Sequence, residues 1–273
     1  MPGSRWRLAV ALPLAVAFLF PLFWLVSTSL QPTGQPLSRR LNPWPAAPAW
    51  ENYAAVFGVV EFARFGLNSL LVVLVAVPLT VLVSSWAGFA LARLPARPRR
   101  LLVALSFVVL MTPVTAVWLP RFLLFEAAGL IDNRLALVVP AFAGTSPLYA
   151  LLFLWSCRRI PADLFEAAAL DGAGPFRLWA NVAMPLSRPT AVAVATLAFV
   201  ASWGNFIDPL LYIRSAEKQT LPYGLQFLFQ LDSTNWPVLM AAAAMATAPA
   251  VLAFLAAQRL FLQPFRGGGW LGR

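Results

Sequence analysis

The chain has 273 residues, 60% of them hydrophobic and 11% charged, against roughly 25% charged in a soluble domain, so it is built for lipid. Its net charge of +10 would point to nucleic acid in a soluble protein, but here the arginines stand at the ends of apolar runs, not in a stripe. With no His and one Cys, Cys157, an internal disulfide, a His/Cys zinc site and any His-dependent triad are excluded.

A membrane-spanning helix needs about 20 mostly apolar residues, and six windows meet that: 8–30, 67–91, 101–125, 135–157, 190–213 and 238–261. The expected fold is therefore all-α, a polytopic membrane protein whose residues 1–273 form a single transmembrane domain. The first window follows Arg5 and Arg7 as a signal peptide would. It is longer than a signal core of roughly 7–15 residues, and no small-x-small cleavage site follows, so it reads as a retained helix. Residues 31–66 come next. They carry Pro32, Pro36, Pro43, Pro45 and Pro48, which rule out a helix through their first half.

Prolines also lie in or near the spans, at positions 13, 21, 78, 113, 120, 140, 147, 209 and 249. Each removes a backbone donor and can kink a helix. Positive charge sets the orientation. With the N-terminus inside and six alternating spans, the cytoplasmic segments hold 13 Lys or Arg and the outer ones 7, accounting for all 20. The expectation is N-in and C-in.

That orientation places 160–189 in the cytoplasm, between the fourth and fifth spans. Pro161 suits a first helical position. Asp163 and Glu166 fall where the helix dipole favours acids. Ala167, Ala168, Ala169 and Leu170 are strong helix formers. Gly172 supplies a left-handed stop, and Gly174-Pro175 starts a second short helix. The segment is either a docking surface, with Glu166 projecting from small alanines, or a plain loop whose acids are helix caps.

In the fifth span, Asn205 is a buried amide that either lines a solute path and bonds a polar ligand there, with Trp203 or Phe206 stacking on it, or ties two helices together. Tyr149 and Ser146, beside Pro147, are further candidates for the path. Asp208 reads as an interfacial residue and Cys157 as core. Beyond the span, Tyr223, Phe227, Phe229 and Trp236 suit either the membrane interface or an outside partner.

The spacing Glu166-Ala167-Ala168, three residues, Gly172, nine residues, Val182, one residue, Met184, Pro185 resembles the signature loop of bacterial ABC importer permeases. Across nearly the whole chain the sequence is similar to carbohydrate-type permeases like the smaller membrane subunit of the maltose transporter. Supporting stretches are FGLNSLLV (65–72), GFALARLPARPRR (88–100), AGLIDNRLALVVPA (128–141), SWGNFIDPLLY (202–212) and QTLPYGLQ (219–226).

The resemblance implies a multi-pass subunit of the bacterial inner membrane that forms half of a sugar pathway. It further implies a second homologous permease, two ATPase subunits and an extracytoplasmic solute-binding protein. Helix 161–171 would be the coupling helix, with Glu166, Ala167, Ala168, Asp171, Gly172 and Pro185 meeting the ATPase. Two departures stand out: Met184 replaces the usual leucine, and the tail LFLQPFRGGGWLGR is atypical.

No GxxxxGK[ST] loop is present, so ATP and Mg would be bound by the partner and no cofactor by this chain. The competing reading is an ion-gradient secondary transporter, which needs acids within the membrane. None of the ten acids falls mid-span. No nucleophile–base set marks an enzyme.

Overall fold

The structure, a computed structural model, describes residues 5–33, 44–231 and 234–261. The described residues are nearly all helical, with no strand among them. They group into two compact units: residues up to Gly66 with Thr220–Pro249, and Leu67–Gln219 with the residues from Ala250 on. The atypical tail lies outside the described residues, as does part of the proline-rich segment after the first span.

In the first unit, α1 (Arg5–Ser29) is apolar all round and exposed from Ala9 to Phe23. Only its last turn is buried, at Ser27, Thr28 and Ser29. A helix end leaves carbonyls without intrahelical partners. Here α2 (Glu51–Val59) supplies them, because Asn52 Nδ2 donates to the carbonyls of Ser29 and Gln31, both at 2.8 Å.

The helix α3 (Phe62–Arg93) has 32 residues, about 48 Å at 1.5 Å per residue, and runs through Pro78 unbroken. Its Gly88 lets another backbone come close: a Cβ there would overlap Phe153 and crowd the Ala150 carbonyl and the Leu154 amide nitrogen. Small residues at such crossings allow tight helix packing in lipid.

The predicted third span, 101–125, is not one helix. It consists of α4 (Ala96–Met111), a 3₁₀ turn over Val114–Val117, and α5 (Trp118–Ala127), with a bend of 93°. The break is local chemistry. Pro113 disfavours the helical region for Thr112, and Thr112 is extended at φ −70° and ψ 124°.

The fourth span keeps its predicted bounds, Leu135–Cys157, as α6 (Leu135–Phe142) and α7 (Pro147–Cys157) around a short interruption. Ser146 caps α7 by accepting from the Leu148 amide at 3.3 Å, ahead of Pro147 at the first turn.

Next come α8 (Ala162–Leu170), α9 (Pro175–Arg177), a π-helical stretch (Leu178–Ala183) and α10 (Met184–Leu186). The segment Pro175–Leu186 bends by 83° into α11 (Arg188–Trp203). The predicted fifth span therefore ends early. It stops at Trp203, turns at Gly204, and restarts as α12 (Ile207–Tyr212). After a 3₁₀ turn at Ala216–Lys218, Tyr223, Phe227 and Phe229 lie in α13 (Leu221–Leu231), and Trp236 opens α14 (Trp236–Phe261).

Four stretches are long and apolar enough to cross a membrane: Ala9–Ser29, Phe62–Arg93, Leu135–Cys157 and Trp236–Gln258. Each of the two bent pairs passes the same test when its halves are taken together. The chain is a multi-pass membrane protein.

Candidate functional site

The α8 segment is held at one side and open at the other. Phe165 packs toward Phe89 and Trp179 in a core that includes Cys157 and Ala183. The Arg93 guanidinium carbon lies 4.5 Å from the Phe165 ring centre and 5.0 Å from that of Phe89. Such cation–π contacts are worth about 0.5–1 kcal/mol at exposed sites. The opposite face carries Asp163, Glu166, Ala167 and Leu170, all exposed, with Leu170 89% so. Glu166 makes no ion pair among the described residues.

The helix ends as its sequence demands. Gly172 has φ +81°. Its amide donates to the Ala169 carbonyl at 3.0 Å, and the Ala173 amide donates to the Ala168 carbonyl at 3.0 Å. This paired pattern is the Schellman stop, completed by an apolar contact between the flanking positions. Ala168 and Ala173 both pack on the same core. At the start, Pro161 is one residue earlier than expected: it is the N-cap, at ψ 137°, and Ala162 opens the helix. Asp171 is the C-cap and exposed, and Pro185 lies exposed in α10.

A second feature lies wholly within the second unit. A cavity of about 350 Å³ is lined by residues of α3, α5, α6, α11 and α12 and by the breaks between helices. Its polar wall has three parts. Arg121 Nη1 faces both carboxylate oxygens of Asp208, at 3.4 and 3.5 Å. Asn205 Nδ2 donates to Asp208 Oδ2 at 2.9 Å, and Asn205 Oδ1 accepts the Asp208 amide at 3.2 Å, which caps α12. Across the cavity Thr80 Oγ1 and Thr145 Oγ1 are 2.6 Å apart. Trp118, Pro140 and Ala76 supply apolar wall.

Of the expected path residues, only Asn205 lines this cavity. Tyr149 is buried among Phe153, Val194 and Ala198. Trp203 is buried and stacks on Phe199 at 5.7 Å. Phe206 is half-buried beside the turn. Ser146 serves as a cap. Asp208, read as an interfacial residue, is part of the cavity wall. The sequence reading missed Arg121, Thr80, Thr145 and Trp118 as a group. A signal existed for Arg121, since a charge inside an apolar window marks function or a partner.

A separate clasp joins two connections. The Asp132 carboxylate accepts from Lys218 Nζ at 2.7 Å, from Ser215 Oγ at 2.6 Å, and from the amides of Ser215 and Arg214. The Lys218 ammonium, then the Ser215 hydroxyl and amide, hold the Asp132 carboxyl well below the usual carboxylate range. Among the described residues no cluster of His, Cys, Asp and Glu is able to hold a metal ion.

Apolar helices long enough to cross a membrane, an exposed capped helix with the EAA…G spacing, and a polar cavity beside broken helices together fit a transport component. Residues 80–266 match the family described as binding-protein-dependent transport system inner membrane component. The chain belongs to that family: it is a permease subunit of a binding-protein-dependent importer, not an enzyme.

Its relatives agree. The arabinooligosaccharides transport system permease protein AraQ of Bacillus subtilis is 32% identical, with 98% of this chain and 97% of AraQ covered. The sulfoquinovosyl glycerol transport system permease protein SmoH of Agrobacterium fabrum is 30% identical, with 99% and 95% covered. A crystal structure of a bacterial ABC transporter involved in the import of the acidic polysaccharide alginate contains a chain of the same fold. Its TM-score is 0.76 at 21% identity, with 93% of this chain and 94% of that one covered.

Proposed function

We propose that the chain forms half of the translocation pathway of an ATP-driven importer for a sugar or related solute. In this reading it crosses the inner membrane six times, each bent pair counting as one crossing, with both termini in the cytoplasm. The split of 13 against 7 positive charges supports that orientation. The names of AraQ and SmoH support a sugar-like cargo. The partners would be a second homologous permease, completing a heterodimer, two ATPase subunits that bind ATP and Mg, and an extracytoplasmic solute-binding protein.

The observation that carries the reading is α8. It is a short helix with a firm inner anchor at Phe165, an open outer face, and Glu166 exposed for a basic group on a partner. ATP-driven closure of the ATPases would move α8 as a lever, and the 83° bend before α11 would pass that motion to the attached span. This is a rocking transition of the kind alternating access requires. No feature favours the ion-gradient reading.

The test uses the assembled importer in proteoliposomes. Glu166→Lys should leave the subunit inserted while ATP hydrolysis no longer drives uptake. Normal uptake in that variant would remove the coupling role.

A further inference from the structure

The cavity in the second unit has only two ionisable residues in its lining. Its formal charges are one Arg121 and one Asp208, so it carries no net charge. The two face each other at 3.4–3.5 Å, at the long limit of a hydrogen bond. They are not closed into the short bidentate pair that Arg and carboxylate make when they serve only each other. Side-chain exposure is 28% for Arg121 and 16% for Asp208, so both are largely withdrawn yet still reachable.

Asn205 holds the carboxylate in place from the other side, through its amide on Oδ2 and its oxygen on the Asp208 amide. The wall thus presents a fixed acceptor and a fixed donor side by side. Hydroxyl pairs of a sugar have the matching need, because each hydroxyl both donates and accepts. Thr145, exposed and bonded to the buried Thr80 hydroxyl, offers a further hydroxyl, and Trp118 offers an aromatic wall for the apolar face of a ring. The volume is near the lower end of ligand pockets, which run roughly 300–1,000 Å³. That suits a small saccharide or one segment of a longer one.

We propose that Arg121 and Asp208 form a solute subsite within this subunit, taking two neighbouring hydroxyls of an uncharged saccharide. One hydroxyl donates to Asp208 and the next accepts from Arg121, with Trp118 against the ring. A carboxylate-bearing solute fits worse: Asp208 repels it, and Arg121 is already neutralised. The subsite rests on the sugar-cargo reading above and adds a position and a charge class to it.

The test is uptake by the complete importer, with its partner permease, ATPases and binding protein, in proteoliposomes. Radiolabelled arabinotriose, lactose and an alginate trisaccharide are the probes. The unmodified complex should take up a neutral probe in preference to the alginate trisaccharide. Asp208→Asn, nearly the same shape, should raise the KM for that neutral probe about tenfold, the effect of losing one strong polar contact. Binding-protein-stimulated ATP hydrolysis reports assembly. Trp118→Leu changes the wall without touching the ion pair and should also raise KM, so the proposal stays testable if the Asp208 variant fails to assemble. A neutral probe taken up with unchanged KM in the assembled variants overturns the subsite and leaves the sugar reading standing. Preference for the alginate trisaccharide does the same. Uptake of none of the three by the unmodified complex overturns both.

Discussion

Lys218 Nζ lies 2.7 Å from Asp132 Oδ2 and 2.8 Å from the Asp132 carbonyl oxygen, so the only lysine in the chain grips one residue twice. Asp132 itself stands at φ +61°, a left-handed conformation that costs a non-glycine residue energy. The clasp holds it there and joins the α5–α6 connection to the turn after α12.

The clasp makes stability depend on acid. The Asp132 carboxyl is depressed in the folded state, chiefly by Lys218. Its contribution is therefore complete above the unfolded carboxylate value of about 3.9 and is lost as pH falls through the lower folded value. Asp132→Asn should cost roughly 1–2 kcal/mol at pH 7, as expected for a partly exposed but multiply bonded carboxylate. Thermal unfolding in nanodiscs at pH 7 and at decreasing pH below 4 measures it: the gap between parent and variant should narrow with acid. A constant gap would show that the charge is idle.

Gly172 isolates backbone strain from crowding. A Cβ there meets nothing within 4 Å, yet φ is +81°. Gly172→Ala should cost about 1–2 kcal/mol at that turn, and Gly172→Val more, because a β-branched residue resists positive φ. Gly172→Asn should be the mildest of the three. The readout is the ratio of uptake to ATP hydrolysed, which should fall in the order Asn, Ala, Val. Equal coupling in all three would mean the turn is not needed.

Gly88 is the opposite case, with ordinary backbone and no room. Gly88→Ala should push α3 from α7 and lower stability by about 1–3 kcal/mol, the usual range for overpacking. Denaturation of the purified subunit tests this, and an unshifted midpoint would show that α7 yields freely.

Asn205 does two jobs, capping α12 and steadying Asp208. Asn205→Ala should cost about 1 kcal/mol as a lost cap. Asn205→Asp keeps a good cap but sets a second carboxylate against Asp208, so it should be worse than alanine at neutral pH. A capping role alone predicts the reverse order in thermal melts.

The places where the sequence is legible are those governed by local chemistry. The stop at Gly172 follows from glycine after an alanine run, whereas Ser146, read as a path candidate, is the cap of α7. Apolar length located the four spans that pass as single stretches. What it could not show was direction. Residues 101–125 are apolar on both sides of Thr112-Pro113, and hydropathy is blind to a turn of 93° that leaves composition unchanged. At Gly204 the chain leaves α11 inside a window whose hydropathy stays high enough to read as one span. The cavity follows from these breaks: Arg121 and Asp208 are 87 positions apart, and only the bends of the third and fifth windows bring them face to face. Counting Arg121 with the loops hid it.

The isolation of α1 has a consequence for how this subunit can vary. From Ala9 to Leu22 the side chains are exposed among the described residues, and Phe23 stacks on Trp44 with ring centres 6.4 Å apart. Its last turns are held by Phe23 against Trp44, by the Ser29 hydroxyl 2.7 Å from that of Tyr53, and by Asn52 reaching the carbonyls of Ser29 and Gln31. Bilayer thickness is then the main constraint on the rest, through the modest energy of length mismatch. The helix is free to drift in spelling from one membrane to another while Asn52 keeps its hold.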